Sequence, residues 1–182
     1  MKQFRIELDF NGMVLFDPLR LVEFLKTEGI TTTSIFQYFV DHETVGKRAI
    51  DQGVIIPIYP INVADYQVEA SLDAAEFSAD RDIVFTHDRY GIESLSGIVV
   101  FSDIYAIMDW DNEEFFLNYL ERFNQKSAHN NYFETGKGKF RVQIQGYNRQ
   151  TGTGGYWFLF RQSDSLPLIS DDAEVDDLDY TI

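Results

Sequence analysis

Apolar and polar side chains alternate with a period of two in several segments of this 182-residue chain, and this pattern limits the fold most strongly. In the first segment the apolar positions are Phe4, Ile6, Leu8 and Phe10. Successive side chains of a strand point to opposite faces, so such a segment is typical of a strand with one buried face. The alternation recurs over residues 66–72 and 140–145. Residues 13–16, 83–85 and 98–101 are shorter β-rich runs between turn residues.

The clearest helix signal lies between Asp17 and Gly29. Asp17 is suited to cap free backbone N–H groups. Pro18 would occupy the first helical position, where a backbone N–H makes no hydrogen bond within the helix. Two further helices are predicted over residues 34–40 and from about 43 to 52, although the first of these also fits a buried strand. Asp41 is the predicted cap of the second, which is expected to end at Gly53.

A fourth helix is predicted from Asp111, where a D-x-x-E pattern precedes an apolar face. Prolines at 57 and 60 indicate that any strand there is broken or lies at a sheet edge. Residues 139–161 are predicted to form a β-hairpin. Because strands and helices do not alternate regularly, the predicted class is α+β, mainly antiparallel sheet with two to four helices.

The composition supports one folded unit followed by a tail. A hydrophobic fraction of 45% and an aromatic fraction of 15% are enough for a core. The segment SDDAEVDDLDYTI is too acidic to pack by itself. We therefore predict a single domain over residues 1–163 and a flexible acidic tail over residues 164–182.

The charges are sorted along the chain, whose formal net charge is −15. Residues 1–121 hold 22 acidic and 8 basic side chains, and residues 162–182 hold seven acids and no base. Residues 122–161 reverse the sign, with Glu134 as their one acid. The seven basic residues there are Arg122, Lys126, Lys137, Lys139, Arg141, Arg149 and Arg161. We expect this basic hairpin to rest against the protein's own acidic surface or tail, or to be a solvated face.

Several classes of function are disfavoured by missing patterns. The chain has no cysteine, which excludes disulfides and thiolate metal sites and fits a reducing compartment. No stretch approaches the ~18 apolar residues of a membrane span, and the first ten residues do not resemble a signal peptide. We therefore expect a cytosolic protein that does not insert into membranes. The strongly acidic balance disfavours direct binding of nucleic acid.

No catalytic or cofactor motif is found. The glycines at 152, 154 and 155 lead into a strand rather than a helix, so they do not form a phosphate-binding loop. Asp109, Asp111 and Glu113 begin a calcium-loop pattern, but Glu114 stands where glycine is required. The three histidines lack zinc spacing. His87 and Asp88 are the best remaining acid–base pair, but neighbours on a strand point to opposite faces.

The acidic residues are instead interpreted as a docking face for a basic protein, recruited by electrostatic steering. The predicted partner-binding residues are Asp109, Trp110, Asp111, Glu113, Glu114, Asp80 and Asp82. Trp110 is the expected aromatic anchor among the carboxylates.

The resulting hypothesis is an acidic binding protein that neutralises a basic partner, for example an immunity-type inhibitor of a toxin such as a nuclease. No cofactor is expected. Two alternatives stay open. One is a nucleic-acid mimic that inhibits a DNA-binding protein, and the other is an enzyme whose carboxylate or metal site assembles only in space.

Overall fold

The computed structural model describes residues 1–73, 81–110, 130–149, 154–168 and 178–182. These residues form helices α1 Pro18–Glu28, α2 Ile35–Asp41 and α3 Glu43–Asp51, and a 3₁₀ turn over Ile104–Ile107. The strands are β1 Lys2–Glu7, β2 Met13–Phe16, β3 Ile55–Ile58, β4 Asp65–Ser71, β5 Arg81–Ser94, β6 Ile98–Asp103, β7 Asn130–Glu134, β8 Gly138–Arg149 and β9 Gly155–Ser163. The predicted α+β class is confirmed.

The described strands form two sheets. The five-stranded sheet has the order β1-β4-β9-β8-β5, and the four-stranded sheet has the order β3-β2-β6-β7. Neighbouring strands are antiparallel, except that β4 and β9 run parallel. Because β4 and β9 are distant in sequence, their pairing joins the first and last parts of the chain.

The main core lies between the two sheets and is rich in aromatic rings. Phe101 of β6 packs edge-to-face on Phe4 of β1 and on Phe158 of β9, with ring centroids 5.2 and 5.0 Å apart. A second core lies on the other side of the four-stranded sheet, where Leu21 and Phe24 of α1 are buried. The described part of the chain therefore forms three layers: helices, the four-stranded sheet and the five-stranded sheet.

The helix signals are largely confirmed. The Asp17 carboxylate accepts the N–H groups of Leu19 and Arg20, and Gly29 ends α1 with a left-handed φ of 68°. Both further helices are present, at Ile35–Asp41 and Glu43–Asp51. The predicted cap of the latter is wrong: Asp41 is the last residue of α2, and His42 precedes α3 without a side-chain cap bond.

The strand predictions have mixed outcomes. The β8–β9 hairpin is confirmed, and the proline-containing β3 is an edge strand as expected. The run at 83–85 is part of a much longer strand, the 14-residue β5. Strand β7 was not predicted, because its only apolar run is Tyr132-Phe133. The helix predicted from Asp111 lies outside the described residues.

Two described parts of the C-terminal segment contact the sheets. A Cβ on Gly91 of β5 would lie 2.7 Å from Pro167, so residues 166–167 lie directly on that strand. At the other end, Tyr180 is 1% exposed and belongs to the main core. Residues 169–177 of the predicted tail lie outside the described residues, and the division at residue 163 stays a prediction.

Candidate functional site

Trp110 does not have the exposed position that the sequence suggested. Its side chain is fully buried and packs edge-to-face on Phe16, with ring centroids 5.8 Å apart. Its backbone N–H donates to the carbonyl of Thr33 at 2.7 Å, which fixes this segment beside α2. Burial of this large apolar ring in the second core stabilises the fold, and the ring therefore offers no contact surface for a partner.

The other predicted partner-binding residues are only partly described. Asp109 is exposed after the 3₁₀ turn, and Asp82 is exposed on β5, opposite Asn148. Asp82 lies in a strand of the five-stranded sheet, whereas Asp109 follows a strand of the four-stranded sheet, and no described contact brings the two carboxylates together. Asp80, Asp111, Glu113 and Glu114 lie outside the described residues, and their role stays a prediction.

A different group of carboxylates gathers at one end of the sandwich. Glu7 stands opposite Asp65 in the β1–β4 register, and Asp9 follows two residues later. The Leu8 N–H donates to Ala64 O at 3.2 Å, which continues the pairing past the strand ends. We call Glu7, Asp9, Asp65 and Asp179 the acidic end; all four are exposed. Arg5 pairs with Asp65 and neutralises part of this charge.

The backbone at Asp9 is held in place by a buried carboxylate. Asp103, at the end of β6, is nearly buried and accepts the N–H groups of Asp9 and Phe10 at 2.5 and 3.1 Å. Its other carboxylate oxygen accepts the N–H of Tyr105 at 2.8 Å. This carboxylate therefore organises the backbone at the acidic end and is not itself available to a partner.

Asp179 is assigned to the acidic end because its neighbour Thr181 lines one pocket together with Asn11 and Asn62. Tyr180 is inserted between the sheets, where its hydroxyl pairs with that of Tyr90, and Tyr156 Oη donates to Tyr180 O at 2.9 Å. His87 Nε2 lies 3.2 Å from Asp179 O. The Thr181 N–H donates to Asp179 Oδ1 at 2.8 Å, and hydrogen bonding from Thr181 holds the pKa of Asp179 below its usual range.

A pocket of about 370 Å³ lies next to the acidic end and is lined by sequence neighbours of its carboxylates, not by the carboxylates themselves. Its lining residues are Asn11, Pro60, Ile61, Asn62, Val63 and Thr181. Two apolar side chains are exposed in this region: Val63, at 58%, and Tyr59, at 38%. Exposed apolar groups surrounded by charge are typical of protein contact surfaces.

The basic residues of the β8–β9 hairpin occupy a separate surface. Arg141 stands directly opposite Arg161 in the register, and both side chains are exposed. Within the described part of the chain, Lys137, Lys139, Arg141 and Arg161 take part in no ion pair. Of the two alternatives predicted for this hairpin, the solvated face agrees with these residues better than a surface neutralised by acids.

A buried ionic network, which sequence reasoning missed, lies on the outer face of the five-stranded sheet. Glu69 of β4 is fully buried, pairs with Arg81 at 2.5 Å and accepts the Tyr147 hydroxyl at 2.6 Å. A Cβ on Gly155 would lie 2.8 Å from that hydroxyl, so the absence of a side chain at this position leaves room for Tyr147 to reach Glu69. Burial acts to raise the pKa of Glu69, but Tyr147 and Arg81 outweigh it and hold the pKa below its usual range.

That network and a second buried carboxylate serve the fold. Asp17 Oδ2 accepts Ser94 Oγ at 2.9 Å and the N–H of Ser96 at 2.8 Å, which ties α1 to the β5–β6 turn. Among the described residues no group of three or more His, Asp or Glu side chains is placed to hold a metal ion. Within the same residues no helix is long and apolar enough to cross a membrane.

The described residues define an α+β protein of two sheets and a helical layer, with exposed carboxylates and a neighbouring pocket at one end. No family model and no curated protein matches the chain. Among solved structures it is similar to ComJ from Bacillus subtilis, described as an inhibitor of the DNA-degrading activity of NucA. The two share 9% identity with a TM-score of 0.49, over 90% of this chain and 96% of ComJ. A likeness at this level assigns neither a family nor a function.

Proposed function

We propose that this chain is a cytosolic binding protein that covers and inhibits a basic protein, and that the partner is a toxin nuclease. A nuclease needs a basic cleft to hold phosphate, and a compact acidic protein is suited to occupy it. The observation that carries the proposal is the grouping of exposed carboxylates at the paired ends of β1 and β4, next to exposed Tyr59 and Val63. Val63 and Thr181 also line a pocket there, and Thr181 donates to the Asp179 carboxylate.

The two kinds of side chain have different tasks in this proposal. The exposed carboxylates attract the partner and mainly raise the association rate, because rim charges act over a distance. The apolar groups, above all Tyr59, are desolvated in the complex and control its dissociation. An edge-to-face contact with Phe36, with ring centroids 5.5 Å apart, restricts the orientation of the Tyr59 ring before the partner binds.

The acidic end is not the sole acidic surface. Asp41 and Glu43 are exposed at the α2–α3 junction, and Asp88 and Asp164 are exposed near the five-stranded sheet. Those carboxylates increase the overall attraction for a basic partner, as the net charge of −15 does. In the proposal these remote carboxylates do not define where the partner binds. Substitutions at them therefore serve as a control for substitutions at the acidic end.

The test begins with capture of the partner by the tagged chain at low salt, followed by purification of that partner and a nuclease assay. The acidic-end variant carries Asp9→Asn, Asp65→Asn and Asp179→Asn, and the control carries Asp41→Asn, Asp88→Asn and Asp164→Asn. Both remove three charges and keep the side-chain shape. At about 0.5 kcal/mol for each exposed charge, the first is expected to weaken inhibition about tenfold.

The control is expected to change inhibition by less than about twofold at physiological salt, because remote exposed charges are screened. Equal weakening by both variants would show that net charge, and not the acidic end, governs binding. A captured partner without nuclease activity would overturn the nuclease assignment. A DNA-binding protein in its place would favour the nucleic-acid mimic.

A further inference from the structure

The pocket at the acidic end has a lining of mixed chemistry. Its lining residues include Asn11, Asn62 and Thr181, which carry amide and hydroxyl groups, and the apolar Ile61 and Val63. A side chain that fills it must combine an apolar stem with a polar head, as lysine and arginine do. We propose that the pocket receives one arginine side chain of the basic partner, an inference that rests on the function proposed above.

Charge around the pocket favours a cation. Asp9, Asp65 and Asp179 each stand two residues from a lining residue, namely Asn11, Val63 and Thr181. Asp179 is tied directly to the lining, because its carboxylate accepts the N–H of Thr181. Asp65 already pairs with Arg5, so Asp9 and Asp179 supply most of the attraction for a further cation. The carboxylates stand beside the lining and remain exposed, so a bound cation keeps part of its hydration and avoids the full penalty of charge burial.

The lining favours guanidinium over ammonium. A guanidinium carries five N–H donors in a rigid plane and is weakly hydrated, so it is able to use several separate neutral acceptors at little desolvation cost. Asn11, Asn62 and Thr181 are such acceptors and come from three different segments of the chain. An ammonium is compact and strongly hydrated, and it gains less from acceptors that are spread around a wall.

The walls of the pocket are held in place by the fold. The Ile61 N–H donates to Asn11 O at 2.9 Å, and the Tyr66 hydroxyl donates to Asn62 O at 2.8 Å. The third wall is fixed by the buried side chain of Tyr180, next to Thr181. A preformed site loses little conformational entropy on binding, as expected of a hot-spot pocket.

The test uses capped single amino acids as probes, followed by NMR amide shifts of the isotope-labelled full chain. N-acetylarginine amide is expected to shift the amides of Asn11, Asn62, Val63 and Thr181 saturably, with a Kd of about 1–10 mM for so small a ligand. The lysine analogue is expected to bind at least about threefold more weakly, since its head is more strongly hydrated. The neutral isostere N-acetylcitrulline amide is expected to give no saturable shift.

Two substitutions separate the pocket from the general acidic field. Val63→Trp fills the pocket and leaves every carboxylate in place, whereas Val40→Trp adds the same bulk at an exposed position of α2. Arginine shifts are expected to disappear in the first variant and to persist in the second. Arginine shifts that survive Val63→Trp, equal binding of lysine, or binding of citrulline would each overturn the inference.

The failure of this inference is distinguishable from failure of the proposed function. If Val63→Trp inhibits the partner as the unaltered chain does while the acidic-end variant is weakened, the arginine pocket is refuted and the inhibitor proposal stands. If both triple variants inhibit equally, the acidic end is refuted as the docking surface. In that case the probe titration still reports on the pocket alone.

Discussion

Replacing Tyr180 with alanine is expected to detach the last five residues and to take the acidic end apart. The ring is 1% exposed, lies edge-on to Phe85 with centroids 5.8 Å apart, and carries a hydroxyl that pairs with Tyr90. Leu178 and Ile182 pack beside it on the main core. Alanine at position 180 removes the one fully buried side chain of residues 178–182.

The size of the effect follows from the burial. Deleting a fully buried aromatic ring costs about 3–5 kcal/mol. We expect the lower limit, about 3 kcal/mol, because a detached segment relaxes into solvent and leaves less strain than a rigid cavity. For a chain of this length, about 1 kcal/mol corresponds to 2–4 °C, so the Tm is expected to fall by about 6–12 °C.

Urea unfolding and calorimetry measure the loss of stability, and the arginine-probe titration measures the loss of the pocket. The matched control is Tyr105→Ala, since Tyr105 is 57% exposed and its removal is expected to change stability by about 0.5 kcal/mol or less. A Tyr180→Ala variant within about 1 kcal/mol of the unaltered chain would refute the packing of the C-terminal segment.

Two further predictions concern buried ionisable groups. Glu69→Leu is expected to lower the unfolding free energy by about 3 kcal/mol, because buried Arg81 loses its carboxylate; an unchanged urea midpoint would contradict this. Burial raises the pKa of Tyr156 and of Tyr180 well above the ordinary value of 10.0, so above about pH 10 the unfolded chain loses these protons first. The contribution of these two phenols to the free energy of unfolding is therefore constant below about pH 10 and falls above it by about 1.4 kcal/mol per tyrosine per pH unit. Urea titrations at several pH values, combined with tyrosinate absorbance, measure this loss. Unfolding free energies that stay level up to pH 11 would contradict the burial of both phenols.

Local sequence signals predicted those parts of the fold whose determinants are local. Asp17, Pro18 and Gly29 delimit α1 because capping depends on a few adjacent residues. The β8–β9 hairpin was predictable from alternation before a glycine-rich turn and an apolar run after it. The parallel pairing of β4 with β9 carries no such signal, since it depends on side chains that are about 90 residues apart.

The candidate site was less predictable, for a related reason. A tryptophan among carboxylates suggested an exposed anchor, but Trp110 completes the second core, where Phe16 and α2 meet it. The acidic end unites residues from the start, the middle and the end of the chain, which no local spacing reveals. The acidic run before Tyr180 led to the prediction of a flexible tail, but the last residues of the chain are apolar enough to enter the core.

The central position of β9 has a consequence for how the protein is assembled. It stands third of five in its sheet, although among the described strands it is the last along the chain. A nascent or nicked chain that lacks residues 155–163 would hold β4 and β8 as two unpaired strand edges. Such edges are templates for aggregation, and contacts of long sequence separation form slowly. The addition of this one strand therefore joins the β1–β4 pair and the β8–β5 pair into a single sheet.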